Sequence, residues 1–218
     1  MIMKEWKHDN ITLLCADCMD VMQTLGDKKY SLCIADPPYA WQGKYGRKGG
    51  RWGSTFGNQF AEWDKPIDSK CIDEIFRVSR NQIIWGGNYF SLPPCRGFLI
   101  WDKKDKIPTL ADCEYAWTSF DRNAKVFSSA RNPGGLTGKP RTHPTQKPVQ
   151  LYMWIMDNMC GEGDTIIDPF MGSGTSAVAA YETNRPYLGI EINPDYFDKA
   201  VERLEKHIST HPKLKEIL

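Results

Sequence analysis

No apolar run in this 218-residue chain approaches the roughly 20 residues of a membrane-spanning helix. The opening stretch, MIMKEWKHDN, has no apolar h-region, so no secretory signal is expected. Internal repeats and low-complexity tracts are absent as well. The seven cysteines are an odd number spread from Cys15 to Cys160, which suits reduced thiols in a cytosol and not a disulfide framework. Cys15-Ala-Asp-Cys18 has CxxC spacing, yet no second such pair and no paired histidines complete a zinc site. Buried thiols are therefore expected there, and no metal. Hydrophobic residues make up 41% and charged residues 25%, which excludes a disordered chain and predicts one soluble domain over 1–218.

Excess charge is also missing, because 28 Lys and Arg face 27 Asp and Glu, a net charge of +1. That balance argues weakly against a polyanionic partner, but its distribution argues the other way. Acids are absent from residues 40–61, which hold Lys44, Arg47, Lys48 and Arg51. They are absent again from 122–147, which hold Arg122, Lys125, Arg131, Lys139, Arg141 and Lys147. These two segments carry ten positive charges, so the remainder is net negative by nine. Two solvated basic loops would explain either run alone. Such segregation also suits a local surface for a polyanion.

What is present is an alternation of short apolar runs and amphipathic stretches. Strands are predicted at Ile11–Cys15, Tyr30–Ala35, Gln82–Trp85, Gly97–Trp101, Glu114–Phe120, Asp164–Asp168 and Tyr187–Glu191. The fourth and fifth, joined by a charged link, suggest an antiparallel pair. Helices are predicted from Asp17 to about 25, from the cap Asp68, from Pro148 to about Met159, and from Thr175 to about Tyr181. A last helix starts at Asn193-Pro194, with Tyr196, Phe197, Ala200, Val201 and Leu204 as its buried stripe. Residues 40–61, with six glycines, and 121–144 read as loops. The alternation predicts an α/β fold: a mostly parallel sheet with helices on both faces. Ligands in such sheets bind beyond the carboxyl ends of the strands. Asp17, Asp36, Asp168 and Glu191 all fall at or just after predicted strand ends, so four acids should share one edge.

Gly172-Ser-Gly174-Thr-Ser-Ala177 follows a strand and opens a helix, matching G-x-G-x-x-A, and Glu191 ends the next strand 19 residues after Gly172. Glycines there let a ligand approach the backbone, and the acid can accept from ribose hydroxyls. A tight structural turn competes with that reading. The strand runs into Asp168-Pro169-Phe170, whose carboxylate would repel a pyrophosphate but could accept from an ammonium. This favours S-adenosylmethionine over a dinucleotide.

Asp36-Pro37-Pro38-Tyr39 is the sharpest feature. Two prolines fix the backbone at a strand exit. A carboxylate, a rigid carbonyl and an aromatic face then suit an exocyclic amino group on a planar heterocycle. A proline-rich strand exit with a surface tyrosine is the blander account.

With these residues in view, the chain resembles the S-adenosylmethionine-dependent DNA amino-methyltransferases, which act on adenine N6 or cytosine N4. Asp36–Tyr39 matches the family's Asp/Asn/Ser-Pro-Pro-aromatic catalytic motif. Asp168–Thr175 matches its D-P-F-x-G-S-G-T cofactor block throughout, and Thr142-His-Pro-Thr-Gln-Lys-Pro148 resembles its H-P-T-x-K-P block. Glu191 in Gly-Ile-Glu-Ile matches the ribose-binding acid, and Asp17 resembles the acid of a G-D-C segment, with Ala16 in place of the glycine. The catalytic motif precedes the cofactor block, as in the permuted beta group.

The resemblance implies a class I methyltransferase-like, Rossmann-like fold. It implies Asp36, Pro37, Pro38 and Tyr39 as catalytic residues. Cofactor contacts would come from Asp17, Cys18 and Asp36, from Asp168, Pro169, Phe170, Gly172, Gly174 and Thr175, and from Glu191, Ile192 and Asn193. Thr145 and Lys147, beside the positive N-terminus of a helix, are candidates for the methionine carboxylate, with a solvated helix-start lysine as the alternative. DNA contacts are expected from Lys44, Arg47, Lys48 and Arg51 in the basic loop 40–65. Arg131, Lys139, Arg141 and His143, in or beside a short recognition segment at 121–142, complete that set. The partner would be double-stranded DNA with its target base flipped out. Asp in the first motif position favours adenine N6. Cytosine N4 is the alternative, and RNA a more distant one. A nicotinamide-dependent oxidoreductase rests on the glycine loop and Glu191 alone, and a DNA-binding module without catalysis leaves the intact acids unexplained. A short recognition segment leaves room for a homodimer. A bacterial or phage-encoded enzyme of restriction-modification, working in the cytoplasm, is the expected setting.

Overall fold

The computed structural model of the protein describes residues 1–39, 67–106, 108, 110–130 and 147–213. Lys44, Arg47, Lys48, Arg51, Arg131, Lys139, Arg141 and His143, expected to contact DNA, and Thr145, expected to contact the cofactor, lie outside these ranges.

Strands β1 (Lys4–His8) and β2 (Ile11–Cys15) form an antiparallel hairpin, followed by α1 (Cys18–Met22) and β3 (Tyr30–Ala35). Next come α2 (Ser69–Val78), β4 (Ser79–Trp85), a 3-10 turn (Gly87–Tyr89), and β5 (Phe98–Lys103), β6 (Cys113–Thr118) and β7 (Lys125–Ser129). The rest is α3 (Val149–Met159), β8 (Ile166–Asp168), α4 (Thr175–Glu182), β9 (Tyr187–Glu191) and α5 (Pro194–Thr210). All described strands join one sheet of order β1-β2-β9-β8-β3-β4-β6-β5-β7.

From β2 through β9, β8 and β3 to β4 every pairing is parallel. Those five strands therefore end on one edge. β6 runs antiparallel to both β4 and β5, as its charged link to β5 suggested. Alternate side chains enter two apolar layers. Leu32, Ile34, Ile83 and Trp85 face the side covered by Leu151 and Ile155 of α3, Ala177 of α4 and Leu204 of α5. Cys33, Ala35 and Ile84 face Val21 and Met22 of α1 and Ile75 of α2. Helices thus cover both faces, as the near-continuous apolar strands require.

Two strands were not legible beforehand. β1 reads Lys-Glu-Trp-Lys-His and is mostly exposed, so it lacks the apolar run by which buried strands announce themselves. β7, inside a segment read as loop, pairs among the described residues with β5 and is largely exposed too. Both are edge strands, whose polar composition is the usual guard against further pairing. The helix predicted from Asp17 to about 25 ends at Met22. Asn193 caps α5 as expected, its Oδ1 accepting from the Asp195 and Tyr196 amides at 2.9 and 3.3 Å.

Candidate active site

The carboxyl edge of the parallel strands collects the predicted acids. Asp17 caps α1 just beyond β2, its Oδ1 accepting from the Met19 amide at 2.8 Å. Glu191 ends β9 in register with Cys15 of β2, and Asp168 ends β8 opposite Gly189. Asp36 follows the last residue of β3. Of the CxxC pair, Cys15 ends β2 and Cys18 opens α1, one buried and the other half-buried.

The glycine loop connects β8 to α4. Gly172 and Gly174 both have positive φ, at 55° and 72°. A Cβ on Gly174 would lie 3.0 Å from the Ala200 Cβ, so this glycine also lets α5 pack against the helix start. A Cβ on Gly172 would meet nothing nearer than the Phe170 carbonyl at 3.9 Å, so the loop opens onto space. Glu191 steadies it from the side: one oxygen accepts from the Gly172 amide at 2.9 Å and the other from Asn193 at 2.8 Å. Arg203 of α5, not singled out in the sequence, donates to the Ser173 carbonyl and the Thr175 hydroxyl, both at 3.0 Å. Ile192, immediately after Glu191, stands 55% exposed.

Asp168 is only 2% exposed. Its oxygens accept from the Phe170 amide at 2.9 Å and the Ser176 hydroxyl at 2.5 Å, and Ser176 also meets the Tyr187 hydroxyl at 2.7 Å. Burial dominates these contacts and pushes its carboxyl up to about 7. Glu191 is shifted the same way by burial, against the pull of the amides it accepts from. A cationic ligand group would relieve both.

At the Asp36 corner, the Tyr39 hydroxyl donates to Asp36 Oδ1 at 2.5 Å. Burial, reinforced by that carboxylate, holds the phenol well above its ordinary range, so it remains a donor. The Tyr39 ring stacks on Tyr89, with centroids 5.1 Å apart, and tilts against Phe90 at 6.2 Å. It lies over Gly86, at φ 63°, where a Cβ would come within 2.3 Å of the ring. Gly86 and Tyr89 escaped the sequence reading, although Gly-Gly directly after a strand was a visible signal.

Lys147 is neither solvated nor free at the start of α3. It is 4% exposed, its ammonium donates to Asp36 Oδ2, and Glu114 Oε2 lies 3.3 Å away. The Trp85 ring sits under it at 5.0 Å. Glu114 also takes the Lys103 ammonium at 2.5 Å. Burial disfavours charge on Lys147, but the two carboxylates outweigh it and raise its pKa. Burial likewise pushes Glu114 up, and the two lysines outweigh it and hold it low. Glu114 and Lys103 were missed; a lone acid inside an apolar strand was the available clue.

Among the described residues no helix is long and apolar enough to cross a membrane. The family model for DNA methylases of the N6/N4 type matches residues 84–202. The Type II methyltransferase M.HpaI of Haemophilus parainfluenzae is 40% identical over 240 residues, covering 90% of this chain and 75% of the relative. In structure the chain is similar to the PvuII DNA methyltransferase (cytosine-N4-specific), with a TM-score of 0.65 and 15% identity over 96% of this chain and 94% of that one. It is also similar to M1.HpyAVI in its SAM complex, with a TM-score of 0.57 and 22% identity over 89% of this chain and 98% of that one. Both likenesses concern the fold, which is that of the class I methyltransferases. With the family model matching more than half of its length, the chain belongs to the N6/N4 DNA methylase family.

Proposed function

We propose that this protein transfers a methyl group from S-adenosylmethionine to the exocyclic amine of a flipped DNA base, adenine N6. The observation that carries this reading is the Asp36 corner: a carboxylate at the end of β3, with one oxygen on Lys147 and the other on the Tyr39 hydroxyl, beside the rigid Pro37-Pro38. A carboxylate has about four acceptor sites, so Asp36 can still accept a hydrogen bond from one amino N–H. The proline carbonyl accepts from the other N–H. Held this way, the amine is pyramidal and its lone pair would face the methyl group of a bound S-adenosylmethionine, which is catalysis by positioning and electrostatic stabilisation. No prior deprotonation is required, because the amine becomes acidic only after it has been methylated. Tyr39 offers an aromatic surface to the base. Aspartate in the first motif position favours adenine over cytosine, by the family resemblance.

The other end of the edge fits the cofactor. Glu191 suits ribose hydroxyls, Asp168 suits an ammonium, the space over Gly172 admits a close ligand, and Ile192 offers apolar surface to a purine. The buried carboxylate of Asp168 at the start of the loop disfavours a pyrophosphate. Bound there, S-adenosylmethionine supplies an electrophilic methyl group on its sulfonium. The basic segments at 40–65 and 121–142 supply phosphate contacts to duplex DNA. Such work belongs in a bacterial cytoplasm.

The test is methyl transfer from labelled S-adenosylmethionine to unmethylated duplex DNA, read by nucleoside digestion, with Asp36→Ala as control. Label in N6-methyladenosine that disappears in the variant is the expected result. Label in N4-methylcytosine would overturn the choice of base. Absence of label despite cofactor binding would overturn the choice of acceptor.

A further inference from the structure

Lys103, Glu114, Lys147 and Asp36 form a row of alternating charge that ends at the Tyr39 hydroxyl. It draws on β5, β6, the approach to α3 and the exit of β3. Glu114 belongs to none of the blocks that resemble family motifs, yet it bridges both lysines. We propose that Glu114 is a positioning residue for methyl transfer, acting through Lys147 to fix the Asp36 carboxylate at the end of β3. This rests on the reading of Asp36 as the group that holds the target amine.

The physical argument is charge balance in a site with little water. With Glu114 ionised, two ammonium groups face two carboxylates. Without it, two cations share one anion, and Lys147 is among the most buried side chains of the row. Burial and repulsion from Lys103 then favour loss of the Lys147 proton. A neutral Lys147 orients Asp36 weakly, and the carboxylate can swing away from the amine. Lys147 is faced by Asp36 from β3, Glu114 from β6 and the Trp85 ring from β4. Lys103 of β5 lies across Glu114, and the Tyr39 hydroxyl lies on the other oxygen of Asp36. Burial, Asp36 and Glu114 set the charge of Lys147.

The experiment compares wild type, Glu114→Gln, Glu114→Asp, Lys147→Met and the Glu114→Gln/Lys147→Met double variant on unmethylated duplex DNA, each checked by thermal melting. In Glu114→Gln, kcat is expected to fall about tenfold. Cofactor Kd and the KM for DNA should stay within about twofold. Wild-type kcat should stay flat on the alkaline side, whereas in Glu114→Gln it should begin to decline at lower pH. Glu114→Asp keeps the charge and should restore the flat alkaline limb, with kcat still reduced by its shorter reach. The double variant should be no slower than Lys147→Met alone. Wild-type kcat and pH profile in Glu114→Gln, or losses that multiply in the double variant, would overturn the proposal. Should Glu114→Gln fail to fold, wild-type kcat in Glu114→Asp would overturn it. Asp36→Ala is run beside them: turnover in that variant sinks the reading of Asp36 itself, whatever Glu114 does.

Discussion

The Lys147 ammonium rests on the Asp36 carboxylate, although 111 residues separate the two in the chain. Two blocks that resemble separate family motifs thus meet in one ion pair. Breaking a buried pair by removing one partner leaves the other desolvated and uncompensated. Lys147→Met is expected to cost about 2–4 kcal/mol of stability, the lower part of that range reflecting the partial exposure of Glu114 and Asp36. Urea denaturation measures this, and an unchanged midpoint and slope would show the pair to be energetically idle.

Asp168 couples stability to function. Its folded carboxyl titrates near 7 against an ordinary 3.8, so the folded state binds its proton more tightly than the unfolded chain. This group's contribution is therefore most favourable below about pH 4, and it declines as pH rises to about 7. Asp168→Asn can keep the Phe170 and Ser176 contacts without the buried charge. It should stabilise the ligand-free protein at pH 8 by on the order of 2–4 kcal/mol, shrinking toward pH 5, while weakening cofactor binding. Paired urea melts at the two pH values and calorimetric titration check both halves. A variant less stable than wild type at pH 8 would refute the burial argument.

Gly86 sets the seat of Tyr39. An alanine there brings a Cβ within 2.3 Å of the ring at a backbone angle of 63°. Gly86→Ala should lower stability by about 1–2 kcal/mol through the left-handed backbone. The displaced ring should lose its hydrogen bond to Asp36, and kcat should fall by about tenfold or more. Steady-state kinetics beside thermal melting separate the two effects.

Gly174→Ala tests the packing of the cofactor loop. It combines a left-handed φ of 72° with a Cβ contact of 3.0 Å to Ala200. The expected loss is about 2 kcal/mol. Adding Ala200→Gly should restore only the contact part and leave the backbone part. Full recovery would mean that the left-handed conformation is not costly here. A double-mutant cycle by chemical denaturation gives the partition.

Much of this protein is determined locally. Apolar runs of strand length, caps such as Asp68 and Asn193, and the glycine pair after Asp168 act over a few residues, so the α/β alternation and the edge bearing Asp17, Asp36, Asp168 and Glu191 could be read from the chain alone. The Asp-Pro-Pro-Tyr corner was equally legible, because proline stiffness and side-chain chemistry travel with the residues. Strands β1 and β7 could not be read that way, since an exposed edge strand carries no apolar signature. Nor could the partners of Lys147. Its position beside a helix start suggested a solvated or anion-holding lysine. Only the pairing of β6 between β4 and β5 carries Glu114 to it, and only the exit of β3 carries Asp36. Charge pairing of that kind depends on which strands lie side by side, and strand order is settled by tertiary packing.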